Sequence, residues 1–334
     1  MKINQNLQKL SSYAVEILDK SIQRKHSNES EKPIISMEIL SIGVLENMQE
    51  YPELQYEKLV HSAAKFYNCD AQFTIPVNGS DEGLDLILRT FCNSGEVIAV
   101  LNPTFSMYFQ FATILGLQVL QFNLNFEDFT LNVDEFIEFC LKNKVKMAII
   151  PNPLAPSGGV IKREDLVKIV SKLPETFVVI DEAYIEFSKE ESMISHIGAN
   201  FPGLIVTRTC SKFFGLAGVR LGFVFTAQKD NIFKVKSPYN VNNITCGIGI
   251  NLFTKLTPEI IQQKHDDNLI ALENLRQWLV NFPEIHQIYP SSTNFLFIKL
   301  LQNSGDFAQK LLDTHKIKIK AFSGDFAKFC RIST

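Results

Sequence analysis

The feature that most constrains this chain is a series of short apolar runs, each passing at its C-terminal end into polar or turn-forming residues. Glu96-Val97-Ile98-Ala99-Val100-Leu101 leads into Asn102-Pro103-Thr104-Phe105, and Lys146-Met147-Ala148-Ile149-Ile150 leads into Pro151-Asn152-Pro153. Phe177-Val178-Val179-Ile180 ends on Asp181-Glu182, and Leu204-Ile205-Val206 on Thr207-Arg208-Thr209. Runs of this length and composition predict buried strands. In open α/β sheets ligands bind beyond the carboxyl ends of the strands. These ends are therefore where a site is expected.

A chain of 334 residues can bury a large core, and one compact unit of a large and a small domain is expected. The formal charge of −3 and the lack of a basic stripe leave no footprint for nucleic acid. No apolar run reaches the length of a membrane span, and the first residues lack the apolar core of a signal peptide, so no membrane partner is expected. The six cysteines show neither metal-ligand spacing nor a disulfide framework, which fits a reducing cytoplasm and no metal. Cys210 reads as a small packed hydrophobe.

Helical periodicity is expected from about Leu7 to Lys25, followed by a polar linker over Glu29–Lys32 and a short strand over Ile34–Glu38 entering the site. An amphipathic helix is expected over Glu57–Tyr67, a long one over Pro258–Phe282, and an alternating strand over Lys316–Lys320. At Pro76–Leu84 a strand ends, Gly79 turns the chain, and Ser80-Asp81 opens a helix with Leu84, Ile87, Leu88 and Phe91 on its apolar face. The free N–H groups at such a helix start suit a phosphate.

The segment Val206–Gly222 places one lysine, Lys212, among hydroxyls, small residues and apolar neighbours. A lysine amine in such surroundings can attack a carbonyl. Thr209, Ser211 and Arg220 are donors of the types that hold a phosphate beside it. An aspartate at a strand end, Asp181, can pair with a protonated ring nitrogen.

The Lys212 segment resembles the cofactor-bearing segment of the class I/II aminotransferases, which use pyridoxal phosphate (PLP). The strings Asp181-Glu182-Ala183-Tyr184, Ser291–Phe295 and Arg331-Ile332-Ser333 are similar to those of the histidinol-phosphate branch of that family. The resemblance runs from about Tyr51 to Arg331. It implies an α/β chain of the PLP-dependent transferase fold type I, with a mostly parallel large-domain sheet and a smaller α/β domain. Residues 1–40 would join the small domain, 41–240 would form the large PLP-binding domain, and 241–334 the small C-terminal domain.

The resemblance also implies roles. Lys212, Asp181 and Tyr184 would be catalytic, and Phe105 would stack on the cofactor ring. Ser80, Asp81, Thr209, Ser211, Arg220 and Tyr51 from a partner subunit would hold the phosphate. Asn152 would line the cofactor, while Arg331, Lys320 and Glu38 would meet the substrate. Partners would be a small-molecule amino donor, a 2-oxo acid and a second copy of the chain in a homodimer with shared sites. Three departures stand out: only Glu38 answers to the family's Asn-Glu-Asn-Pro element, Ala155 replaces an asparagine that donates to the cofactor's phenolic oxygen, and Lys320 replaces an arginine. The implied activity is amino transfer from histidinol phosphate to 2-oxoglutarate. A decarboxylase of a phosphorylated amino acid, such as threonine phosphate, an aminotransferase for aromatic or other amino acids, and a PLP-binding regulator without turnover are the alternatives.

Overall fold

The computed structural model describes residues 5–10, 18–46, 48–53, 56–198 and 201–334. A two-residue strand, β1 (Gln23–Arg24), and a single helical turn, α1 (Met37–Leu40), precede α2 (Glu57–Phe66). Strands and helices then alternate: β2 (Thr74–Val77), α3 (Gly79–Phe91), β3 (Val97–Asn102), α4 (Met107–Leu115), β4 (Gln118–Asn123), α5 (Val133–Lys142), β5 (Met147–Pro151), α6 (Arg163–Lys172) and β6 (Phe177–Asp181). After β7 (Leu204–Thr209) and β8 (Gly222–Thr226) come α7 (Lys229–Phe233), α8 (Asn243–Lys255) and α9 (Pro258–Leu279). The chain closes with β9 (Ile285–Ile288), β10 (Phe295–Leu300), α10 (Ser304–His315), β11 (Ile317–Lys318), β12 (Lys320–Ala321) and β13 (Phe329–Ser333).

Seven strands form one sheet in the order β2-β8-β7-β6-β5-β3-β4. The pairs among β4, β3, β5, β6 and β7 are parallel, and only β8 runs against its neighbours. The expected mostly parallel sheet is therefore present. Successive residues along these strands alternate between two cores. Ile98, Val100, Met147, Ile149, Val179 and Ile205 pack on one face. Ala99, Leu101, Ala148, Ile150, Ile180 and Val206 pack on the other. Helices cover both faces, so the strands read as continuous apolar runs rather than as alternation. Parallel register places Asp181 between Pro151 and Thr207 at one edge of this sheet.

The C-terminal strands form a separate antiparallel sheet in the order β12-β13-β10-β9. Leu272 and Leu279 of α9 and Phe307 and Leu311 of α10 pack with Leu296 and Ile298 in its core.

Several expectations change. The helix over Leu7–Lys25 is not continuous: Gln5–Lys9 is a 3-10 turn, residues 11–17 lie outside the described residues, and Gln23–Arg24 pairs with β11 as a strand. Ile34–Glu38 is not a strand, because Ile34 is tied by its N–H to Phe214 O (3.0 Å) and Met37 begins a helical turn. Lys316–Lys320 divides at Ile319 between two partners, β11 pairing with β1 and β12 with β13.

One close approach fixes where α3 begins. A Cβ on Gly222 would lie 2.7 Å from the backbone atoms Gly79 C and Ser80 N, so only glycine lets the start of α3 sit on the start of β8. Gly222→Ala is expected to destabilise the protein by about 1–3 kcal/mol. Gly218→Ala, which meets nothing within 4 Å, should change stability by less than about 0.5 kcal/mol. Urea denaturation of both variants checks the difference.

Candidate active site

Asp181 ends β6 and is buried, with both carboxylate oxygens engaged. Tyr108 donates to Oδ2 at 2.7 Å and Thr207 donates to Oδ1 at 2.8 Å. Burial pushes the Asp181 carboxyl above its ordinary range, and the two donors oppose that shift. Tyr108, also buried, sits one helical turn beyond Phe105, whose ring meets it edge-on at 5.6 Å. The hydroxyl of Thr104 is buried without a hydrogen-bond partner beside them. Sequence reasoning missed Tyr108 and Thr207. The available signals were the aromatic spacing Phe105/Tyr108 and the position of Thr207 at the end of the next strand.

The opposite faces of the same strand ends hold a second buried cluster. Arg208 Nε lies 2.9 Å from Glu182 Oε2, and its Nη1 donates to Glu186 Oε1 at 2.7 Å. The guanidinium lies 5.0 Å over the Tyr67 ring. Burial alone would lower the Arg208 pKa, but Glu186 and Glu182 raise it, so the cation is held firmly. Glu182 also accepts from Ser192 Oγ (2.6 Å) and Met193 N (2.7 Å).

Beside Asp181 lies a cradle for an anion. Thr209 donates its hydroxyl to Ser211 Oγ (3.0 Å) and accepts from Ser211 N (3.1 Å). Arg220, in a left-handed backbone conformation (φ +59°), donates through Nη1 to Ser211 Oγ (3.4 Å) and through Nη2 to Asp81 Oδ2 (3.4 Å). Gly79, with φ +76°, lies so close that a Cβ would sit 2.3 Å from Arg220 Nη2. The first N–H groups of α3 have no intrahelical acceptor. They start beside this guanidinium, with Ser80 N at the Gly222 contact. Ser80, Asp81, Thr209, Ser211 and Arg220 are thus brought together. Asp81 orients the guanidinium with its carboxylate, so toward an anion it has only its N–H to offer.

Lys212 Nζ donates to Ser27 O at 2.9 Å and lies 5.9 Å over the Tyr184 ring. Tyr184 meets Phe295 edge-on at 5.2 Å, and the Arg331 guanidinium lies 5.2 Å over that same Phe295 ring. Arg331 Nη2 donates to His26 O at 2.9 Å. Lys320 stands directly across from Arg331 in the β12–β13 pair. Burial first, then the neighbouring Arg331 and Lys318, hold the Lys320 ammonium below its usual pKa. The two expected substrate cations are therefore neighbours.

His26-Ser27-Asn28 runs between Lys212 and Arg331, and sequence reasoning did not place it there. Asn28 Nδ2 donates to Tyr184 Oη at 2.8 Å. Glu38 is exposed on α1, so the segment against the site is Ser27–Ser30 rather than Ile34–Glu38. An Asn-Glu pair, Asn28-Glu29, stands in this segment, whereas Glu38 lies outside it.

Two further expected residues stand apart. Asn152 is buried, and its carboxamide pairs with Ile161: Nδ2 donates to Ile161 O (3.1 Å) and Oδ1 accepts from Ile161 N (2.8 Å). Asn152 thus shapes the loop after β5. Tyr51 is 80% exposed and stacks on Tyr239 at 4.5 Å.

The donor set fits a phosphorylated aromatic aldehyde with a basic ring nitrogen. It offers a buried carboxylate for the nitrogen, an aromatic ring at Phe105, a tyrosine hydroxyl, a primary amine and a cationic cradle next to a helix start.

The family model for aminotransferase class I and II matches residues 11–334. A histidinol-phosphate aminotransferase from Clostridium kluyveri is 34% identical, over 98% of this chain and 93% of its own length. Among solved structures, a histidinol-phosphate aminotransferase from Sinorhizobium meliloti in complex with pyridoxal-5'-phosphate superposes with a TM-score of 0.89 at 19% identity, covering 100% of this chain and 93% of that one. An L-threonine-O-3-phosphate decarboxylase from Porphyromonas gingivalis superposes with a TM-score of 0.78 at 19% identity, covering 94% of each chain. These structural likenesses show the fold alone.

Because the Asp181 carboxyl is raised in the folded protein, the unfolded chain ionises first as pH rises. Asp181 then destabilises the ligand-free fold, fully so above its folded pKa and not at all below the ordinary carboxylate range near 4. Asp181→Asn is expected to raise the melting temperature of the ligand-free protein at neutral pH by about 1–2 °C, with the difference vanishing in acid. Melting curves at both pH values check this.

Proposed function

We propose that this chain, which belongs to the aminotransferase class I and II family, catalyses PLP-dependent amino transfer between histidinol phosphate and 2-oxoglutarate. The observation that carries the substrate choice is the cross-strand pair Lys320–Arg331, joined to Lys212 through the Phe295 and Tyr184 rings. Two neighbouring cations suit a doubly charged phosphate at the far end of an amino donor.

PLP, when bound, supplies an electron sink that acidifies the Cα–H of the donor. Lys212 is the amine that would hold the cofactor's carbonyl and, when free, would move the proton from the donor's Cα. Asp181, held by Tyr108 and Thr207, would offer its carboxylate to the ring nitrogen. Phe105 would cover the ring, and Tyr184 would donate to the phenolic oxygen. The start of α3, Ser80, Thr209, Ser211 and Arg220 would hold the phosphate, with Asp81 aiming Arg220.

A homodimer with shared sites belongs to the same reading. Ile42, Leu45 and Tyr51 are 66%, 73% and 80% exposed along one segment. Such an apolar strip suits a second copy, and Tyr51 would reach the partner's phosphate. Mixing Tyr51→Ala with Lys212→Ala subunits should restore part of the activity, because one of the two sites regains both residues. A fully active monomer would refute this arrangement.

The central test is a half-reaction followed by absorbance. Histidinol phosphate should convert the bound cofactor to its amine form without releasing CO2, and 2-oxoglutarate should return it. Release of CO2 from threonine phosphate, with return of the aldehyde, would instead identify a decarboxylase. Lys212→Ala should abolish turnover and the borohydride-trapped linkage. Lys320→Ala should lower kcat/KM for histidinol phosphate by about tenfold while leaving the poorer donor histidinol almost unchanged. Equal rates for the two donors would remove the phosphate preference.

A further inference from the structure

Asn28 is 1% exposed, and every one of its polar groups is engaged. Its N–H donates to Ser333 Oγ (3.1 Å), its Oδ1 accepts from the same hydroxyl (3.0 Å), and its C=O accepts from Asn294 Nδ2 (3.1 Å). These contacts all lead to the C-terminal antiparallel sheet or its approach: Ser333 ends β13 and Asn294 precedes β10. Only the side-chain amide points elsewhere, to Tyr184 Oη at 2.8 Å in the loop after β6. Asn28 has φ +55°, a conformation that asparagine adopts more readily than most residues. The backbone here is shaped around this side chain.

We infer that Asn28 is a positioning residue that orients the hydroxyl of Tyr184, and that it ties this orientation to the seating of the C-terminal sheet. A tyrosine hydroxyl has one hydrogen. With the Asn28 amide donating to its oxygen, that hydrogen turns away from Asn28 and serves the cofactor's phenolic oxygen. The incoming hydrogen bond also polarises the O–H and strengthens it as a donor. This matters more in this chain than in a relative with an asparagine before Pro156, because Ala155 brings no donor and Asn152 is bound to Ile161. Tyr184, in the loop after β6, is the donor retained, and Asn28 decides which way it donates. Lys212 Nζ lies over the Tyr184 ring, Phe295 meets its edge, and Tyr108, bonded to Asp181, is near enough to interact with it electrostatically. The hydrogen bond to the Tyr184 hydroxyl comes from Asn28.

The inference rests on the aminotransferase reading above, and the experiment separates the two. The probe is the visible absorption of holoenzyme titrated with pH, for Asn28→Asp and Asn28→Gly in both the wild-type and the Tyr184→Phe background. Glycine keeps the left-handed backbone without strain and deletes the amide. Aspartate keeps the shape and the acceptor for Ser333, but it can only accept from Tyr184, which draws the hydroxyl hydrogen away from the cofactor. Less donation leaves more charge on the phenolic oxygen, so the titration midpoint should rise.

The expected rise is about 0.3–1 pH unit for Asn28→Gly, a two- to tenfold change in the protonation equilibrium, and a larger one for Asn28→Asp. The Asn28→Gly shift should disappear in the Tyr184→Phe background, which a merely structural role for Asn28 would not produce, while Asn28→Asp should keep there only the part due to its own charge. An unchanged midpoint in Asn28→Asp would mean that the Asn28 carbonyl, not its amide, faces Tyr184, and would overturn the inference. So would an Asn28→Gly shift that persists without the Tyr184 hydroxyl. If Asn28→Asp does not fold, Asn28→Gly carries the same comparison. A wild-type protein that forms no pH-sensitive chromophore with PLP would refute the aminotransferase reading instead.

Discussion

The site depends on charge held away from water at the carboxyl ends of β6 and β7. Neighbouring residues on a strand point to opposite faces, so Asp181 and Glu182 separate, as do Thr207 and Arg208. One face receives Asp181 with Tyr108 and Thr207 as donors. The other receives Arg208 between Glu182 and Glu186. A slip of one residue would exchange these faces. It would strand a buried guanidinium without its carboxylates, a loss of several kcal/mol. The two clusters therefore lock the register that aims Asp181 at the site and sets Thr209, Ser211 and Lys212 beside it.

The anion cradle follows from a different constraint, the closeness of backbones. Gly222 allows α3 to start against β8, and Gly79, at φ +76°, leaves room for the Arg220 guanidinium at the helix start. The helix start then meets Arg220, which the loop after β7 presents in a left-handed conformation. Hydroxyls, guanidinium and free N–H groups converge because two strands and a helix end at one place. The parallel β-α connections of the sheet bring those ends to one side.

Much of this was legible in the sequence. The apolar runs with polar ends revealed the strands, because strands buried on both faces carry apolar side chains at every position. Asp181, Tyr184, Thr209, Ser211, Lys212 and Arg220 lie within two short strings whose residue types match the chemistry they would perform. The N-terminal segment was not legible. Asn28 carries no apolar pattern, and its environment comes from Ser333 and Asn294, 305 and 266 residues away along the chain. Glu38 has the residue type of a site carboxylate, yet it lies exposed on a helical turn.

What the sequence determined by itself is therefore the fold class and the inventory of reactive groups, since periodicity and residue type are local properties. The tertiary structure alone decided which groups meet. It placed Tyr108 and Thr207 on Asp181, set Lys320 across from Arg331, and engaged Asn152 with Ile161. It also laid His26-Ser27-Asn28 between Lys212 and Arg331. Strand register and burial made those choices, because a buried polar group must find its partner wherever the fold has put one.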